Sequence, residues 1–187
     1  MPLTTHEILE LFDTYGARRY GREPISQAEH ALQCAHLAEQ AGATPELISA
    51  SLLHDLGHLL AAHANVAPPA NNAAHDDMHQ YFALPFLRGQ FADAVLEPIR
   101  LHVDAKRYLC HAEPGYWDTL SEESKRSLVV QGGVHSAKAA AEFIGRRHAQ
   151  DAVQVRRWDD LAKVPGCTTP SIEHFAAILE SCSFVRL

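Results

Sequence analysis

The run SLLHDLGHLL, residues 51–60, constrains the fold of this chain more than any other segment. It sets His54, Asp55 and His58 among leucines. A carboxylate or an imidazolium in such surroundings is costly unless it is paired or bound to a metal. A fold that buries this run must therefore bring partner groups to it from elsewhere. The run continues a helix signal: Thr44 reads as an N-cap, Pro45 as the first helical residue, and Leu47, Ile48, Leu52, Leu53, Leu56 and Leu60 follow at helical spacing. In a regular helix His54 and Asp55 splay by about 100° and reach one metal, or two neighbouring metals, from different sides. His58 falls one turn after His54, on the same face. A histidine hydrogen-bonded to a carboxylate in the core accounts for an isolated His-Asp pair. It accounts less well for HDLGH amid leucines.

The rest of the chain reads as helical too. Residues 5–15 carry Ile8, Leu9, Leu11, Phe12 and Tyr15 at helical spacing. Ser26 and Glu29 form a capping box that opens a helix to about Gly42. Residues 63–75 read as a loop, from their Pro and Asn content. Helical patterns resume over 76–88 and 92–110, with Pro85 and Pro98 as starts or kinks. Residues 111–120 look irregular, Ser121 opens a short helix, and Gly132-Gly133 closes it. Further helices fit 135–147, 148–163 and 171–181. No alternating stretch makes a convincing strand, and no repeat or linker splits the chain. The expectation is one all-α domain over residues 1–187.

Composition narrows the function. The 187 residues include 13 histidines, and 16 Lys+Arg against 23 Asp+Glu give a net charge of −7. An acidic balance argues against nucleic acid as a partner. Histidine is the commonest metal ligand, so the count points to metal chemistry. No apolar run is long enough to cross a membrane, and the N-terminus lacks a signal-peptide pattern, so a cytoplasmic protein is expected. Cys34, Cys110, Cys167 and Cys182 form no CxxC pair and are expected reduced. No pattern encodes an oligomeric state.

His30, then His54-Asp55, then a distant Asp159 resembles the HD-domain superfamily, an all-helical metal-dependent bundle. The segments SQAEHALQCAHLAEQAG, EPIRLHVDAKRYLC and VRRWDDLAKV, within a similarity running from about Tyr20 to Pro170, narrow the resemblance to the mixed-valent diiron oxygenases of phosphonate catabolism. That resemblance implies two iron ions (Fe2+/Fe3+) held by His30, His54, Asp55, His79, His102 and Asp159, with Asp55 bridging. Tyr20 would hold a coordination position until substrate binds, with Glu23 as its loop companion. His58 would act in catalysis and, with Lys106, Ser124, Ser127 and Arg156, hold the phosphonate. The implied reaction uses O2 to cleave the carbon–phosphorus bond of a 1-hydroxy-2-aminoethylphosphonate, bearing a free amine or a trimethylammonium. The products would be phosphate and glycine or glycine betaine.

Residue chemistry agrees with parts of this. Six N and O ligands suit iron better than a soft metal, although spacing alone gives only a hard or borderline dinuclear site. Lys106 lies one helical turn beyond His102, and Arg156 lies three residues before Asp159. With the Ser124 and Ser127 hydroxyls they compose a cradle for a tetrahedral anion. Two choices stay open. Asp159 is favoured over Asp160 because Lys163 follows it by one turn, and His79 has a rival in His75. Gln80 stands where the family has Glu. The alternative activity is hydrolysis of a nucleotide or small phosphoester by a metal-activated hydroxide on the same ligands. A sensing protein without turnover is the third reading.

Overall fold

A computed structural model describes residues 2–65 and 78–184 of the chain. Helix α1 (Thr5–Tyr15) starts at a capping box in which the Thr4 hydroxyl accepts from the Glu7 amide and the Glu7 carboxylate accepts from the Thr4 amide. Helix α2 (Gln27–Gln40) starts the same way at Ser26 and Glu29, and α3 (Pro45–Leu53) starts at Thr44 with proline in its first turn. Then follow α4 (Leu56–His63), α5 (His79–Phe82), α6 (Leu84–Leu87), α7 (Asp93–Ala112) and α8 (Tyr116–Thr119). The chain continues through α9 (Glu122–Val130), α10 (Ala137–Ile144), α11 (Ala149–Leu161) and α12 (Ile172–Cys182). Two isolated bridges, Arg19 to Ser26 and Arg88 to Phe91, are the β-type pairings among the described residues. The protein is an all-α helical bundle.

Apolar faces explain the packing. Helix α7 runs along α11 and also meets α3 and α10, while α3 is sandwiched among α2, α7 and α12. The larger core gathers Ile8, Leu52, Leu53, Leu56, Leu87, Ile99 and Leu179, each almost without exposure. A smaller core under the α7–α11 contact holds Leu101, Leu109, Phe143 and Val153. Burial on this scale is the dominant stabilising term of such a fold.

Four sequence expectations change in detail. The helix expected to run from Thr44 through Leu60 is interrupted at His54-Asp55, where Asp55 leaves helical geometry with φ −105 and ψ 12. The regular 100° splay of His54 and Asp55 therefore gives way to a turn between α3 and α4. Of the start or kink expected at Pro98, the start falls away: Pro98 lies inside α7, which runs on past the missing N–H. The stretch 111–120, expected irregular, contains the short α8, opened by Gly115 at φ +84. Of the helical pattern expected over 76–88, the structure describes the two short helices α5 and α6, and residues 76–77 lie outside the described residues. All four cysteines are free thiols, as expected.

Candidate metal centre

The break between α3 and α4 points His54 and Asp55 into the middle of the bundle. There they meet His30 from α2, His79 at the start of α5, His102 from α7 and Asp159 from α11. All six are buried; His30 and His54 have no exposure at all. The Asp55 carboxylate divides the cluster. Its Oδ2 lies 3.4 Å from His54 Nε2 and 3.7 Å from His30 Nε2. Its Oδ1 lies 3.1 Å from His79 Nε2 and 3.6 Å from His102 Nε2. Asp159 adds its carboxylate to the first group, with Oδ1 3.5 Å from His30 Nε2 and Oδ2 4.0 Å from His54 Nε2.

Main-chain carbonyls orient the rings. His30 Nδ1 donates to the Ala162 carbonyl at 2.8 Å, His54 Nδ1 to Ser51 at 2.8 Å and His102 Nδ1 to Ile99 at 2.7 Å. With the proton on Nδ1, each Nε2 lone pair faces inward. This is the outer-sphere arrangement metal-ligating histidines use. Within each group the Nε2 atoms crowd together, 3.3 Å between His30 and His54 and 3.1 Å between His79 and His102. In neutral His30 and His54, each with its ring proton on Nδ1, the facing Nε2 lone pairs have no proton to share, and Asp159 Oδ1 is buried without a hydrogen-bond partner. A cation placed in each group would satisfy all of them. The donor set therefore fits a pair of metal ions.

The charge balance prepares the ligands. Burial drives the His30 imidazolium down to about 4 despite the nearby Asp159, and burial holds His102 well below its ordinary value. Both rings are neutral near pH 7 and open to a metal. For Asp55, burial opposes ionisation, but His54 and His79 outweigh it and hold the carboxyl well below the usual range. Burial likewise opposes ionisation of Asp159, and Arg156 first, then Lys163, reverse it. Both carboxylates are ready anionic ligands.

A cavity of about 450 Å³ opens beside the cluster and reaches Asp55, His79, His102 and Asp159. His58, expected on the face of His54, instead stacks on His79 with ring centroids 4.4 Å apart, because the break rotates α4. On the far wall Lys106 Nζ donates to Ser127 Oγ at 2.7 Å, and Arg156 Nη2 donates to Ser124 Oγ at 3.3 Å. Burial brings the Lys106 ammonium down to about 7, with the Arg156 charge adding to the effect. The mouth is formed by the turn Tyr20–Glu23, closed by the Glu23 amide donating to the Tyr20 carbonyl at 2.9 Å. The Tyr20 ring stacks on His30 at 3.9 Å. Burial and the Asp159 and Asp55 charges hold its phenol well above the ordinary value. Glu23 Oε1 is buried without a partner.

The structure describes three of the four residues between which the sequence left a choice. Asp159 faces the histidines, whereas Asp160 turns outward to accept from the Tyr116 hydroxyl and the Arg156 guanidinium. His79 joins the cluster; its rival His75 lies outside the described residues. Gln80 is buried next to His79, with Oε1 lacking a partner. Sequence reasoning gave no role to three contacts. Lys163 Nζ donates to Ser124 Oγ at 3.0 Å, Cys34 Sγ sits 3.7 Å from His30 Nε2, and Asp160 tethers Arg156. Helical spacing signals two of them, Cys34 four residues after His30 and Asp160 four after Arg156, whereas Lys163, four residues after Asp159, gives no sign of its reach to Ser124.

No protein-family model matches the chain. It is similar to hydroxymethylphosphonate dioxygenase of Gimesia maris, with 42% identity over 94% of this chain and 86% of that protein. It is 36% identical to the glycine-betaine-forming [1-hydroxy-2-(trimethylamino)ethyl]phosphonate dioxygenase of Leisingera caerulea, over 91% of this chain and 85% of that one. An uncharacterised protein of Acanthamoeba polyphaga mimivirus is 28% identical over 92% of this chain.

Proposed function

The chain belongs to the family of hydroxyphosphonate dioxygenases, and we propose on that premise that it uses O2 to cleave the carbon–phosphorus bond of a 1-hydroxyphosphonate through two bound iron ions. The observation that carries the reading is the placement of Asp55, one carboxylate oxygen toward His30 and His54 and the other toward His79 and His102. On this reading Asp55 would hold both ions, His30, His54 and Asp159 would hold one of them, and His79 and His102 would hold the other. The irons, when bound, supply Lewis acidity and the redox capacity to use O2.

The protein's own groups account for binding. Lys106, Arg156 and Ser124 present hydrogen-bond donors to the phosphonate oxygens. The cavity touches both histidines of one group, His79 and His102, and only Asp159 of the other, so substrate approaches the His79 side. There the C1 hydroxyl is brought next to the His79–His102 position. His58, held by its stack on His79, lies beside that hydroxyl as the group able to take or return a proton. The reaction balances without a reductant: a 1-hydroxyphosphonate and O2 give a carboxylate, inorganic phosphate and a proton.

The relatives name a substrate with no organic group beyond C1 and one with a trimethylammonium. The orphaned Glu23 Oε1 at the mouth favours a cationic group there, either the free amine or the trimethylammonium. The test is phosphate release from hydroxymethylphosphonate, 2-amino-1-hydroxyethylphosphonate and its trimethylammonium counterpart, using iron-loaded protein in air and under argon. Oxygen-dependent release supports the reading. Equal release under argon, with Mn2+ or Mg2+, overturns it in favour of a phosphohydrolase.

Among the described residues, no helix is long and apolar enough to cross a membrane. A small organophosphonate and O2 are the partners this function requires.

A further inference from the structure

We propose that the two serines of the cavity do different jobs: Ser124 gives its hydroxyl proton to the phosphonate and is aimed by Lys163 and Arg156, whereas Ser127 touches no substrate and holds Lys106. The inference rests on the phosphonate reading above and refines which residues meet the anion.

A serine hydroxyl has one proton to give and two lone pairs to fill. At Ser124 both lone pairs are taken by cations, Lys163 Nζ at 3.0 Å and Arg156 Nη2 at 3.3 Å. Neither a guanidinium nor an ammonium can accept, so the Ser124 proton has one direction left, into the cavity that the residue lines. Ser124 is 7% exposed and Arg156 4%, so water competes little for that geometry. Two cations on the oxygen also polarise the O–H and strengthen its bond to an oxyanion.

Ser127 is wired the opposite way. Its oxygen accepts from Lys106 Nζ at 2.7 Å, and its proton goes to the Ser124 carbonyl at 3.1 Å, the usual back-bond of a helical serine. What remains is a lone pair, which repels an oxyanion. Ser127 is a positioning residue: it fixes the Lys106 ammonium, which is 2% exposed, so that the remaining N–H groups reach the anion. Lys163 becomes the third cation of the cradle. Its ammonium also lies 3.7 Å from Asp159 Oδ1 and so ties the anion site to the metal cluster. Every group offered to the phosphonate is then a donor, and the site selects the fully deprotonated anion.

The experiment measures inorganic phosphate affinity of the iron-loaded protein by calorimetry, alongside turnover of hydroxymethylphosphonate. Ser124→Ala and Lys163→Met should each weaken phosphate binding about tenfold, and together much less than a hundredfold, because Lys163 acts partly through Ser124. Lys163→Arg should keep most of the affinity. In a Lys106→Met background, Ser127→Ala should cost nothing further, whereas Ser124→Ala should still cost its tenfold. Further loss from Ser127→Ala in that background, or unchanged affinity in Lys163→Met, overturns the proposal. If Lys163→Met sheds iron, the Lys106, Ser127 and Ser124 cycles decide alone. Wild-type protein with this binding pattern but no oxygen-dependent turnover would sink the dioxygenase reading and leave the cradle standing. Turnover with a flat variant series would do the reverse.

Discussion

Gly57 packs directly on the main chain of His79: a Cβ on Gly57 would lie 2.2 Å from the His79 carbonyl oxygen and 2.9 Å from its Cα. The glycine of HDLGH is thus the reason α5 can bring His79 to Asp55. Gly57→Ala has no flexible side chain to push aside, so the His79 backbone must retreat. The expected cost is about 1–3 kcal/mol of overpacking. That is a fall of about 2–12 °C in Tm at about 2–4 °C per kcal/mol. Iron content should drop from two per chain toward one. Calorimetry and iron quantification check it, and an alanine variant with full iron and unchanged Tm would refute the packing argument.

Substitutions at Asp55 and His102 separate a carboxylate that faces both histidine pairs from a ring that faces one. Asp55 faces both histidine pairs, whereas His102 faces one. Asp55→Ala should leave the chain nearly iron-free, and His102→Ala should leave about one iron. Electron paramagnetic resonance of anaerobically purified protein should lose the coupled-pair signal in both. Retention of two irons in Asp55→Ala would remove Asp55 from the bridge.

Much of this site is legible in the sequence because it is written at helical spacing. His54, Asp55, Lys106 and Arg156 each stand out as charge or imidazole where a helix face should be apolar. What the sequence hides is non-local. Nothing in SLLHDLGHLL says that the helix breaks at Asp55; the reason is tertiary, since Asp55 must face two histidine pairs at once. Nor does any motif show that the carbonyls of Ser51, Ile99 and Ala162 fix the ring tautomers, because main chain carries no sequence signature. Lys163 was visible one turn after Asp159, but its reach to Ser124 joins the segment after α11 to α9 and needed the fold. The all-α pattern was readable throughout because caps such as Ser26 with Glu29 act locally.

Burial places the Lys106 ammonium at about 7 in the free protein. Protonated Lys106 binds an anion and neutral Lys106 does not. The kcat/KM for a hydroxyphosphonate should therefore fall as pH rises through about 7. Lys106→Arg, charged at all these pH values, should flatten that limb. Stability moves the other way: an unfolded lysine stays protonated to its ordinary 10.5, so the lysine's contribution favours folding increasingly between about 7 and 10.5. A pH profile unchanged in Lys106→Arg would remove Lys106 from the anion site.

Glu23 should discriminate the organic end of the substrate. Its Oε1 is buried at the mouth without a partner, a position where a cation gains and a neutral group does not. Glu23→Gln should lower the ratio of kcat/KM for the trimethylammonium or amine substrate over hydroxymethylphosphonate by about tenfold. An unchanged ratio would place the cation elsewhere.

Tyr116 lies outside the cavity wall yet should affect phosphonate binding. Its hydroxyl donates to Asp160, and Asp160 in turn accepts from Nε and Nη2 of Arg156, whose Nη1 reaches Asp159 and whose Nη2 also donates to Ser124. Burial and the Asp160 contact keep the Tyr116 phenol protonated throughout the working range, so it is a constant donor. Tyr116→Phe keeps the packing but leaves an Asp160 oxygen short of a donor, and Asp160 then draws Arg156 away from the cradle. The loss should appear in KM, about two- to thirteenfold upward, corresponding to about 0.5–1.5 kcal/mol for one hydrogen bond, with kcat changed much less. Steady-state kinetics with hydroxymethylphosphonate give both constants. A fall in kcat with KM unchanged would mean that the Tyr116–Asp160–Arg156 chain acts on Asp159 rather than on the anion.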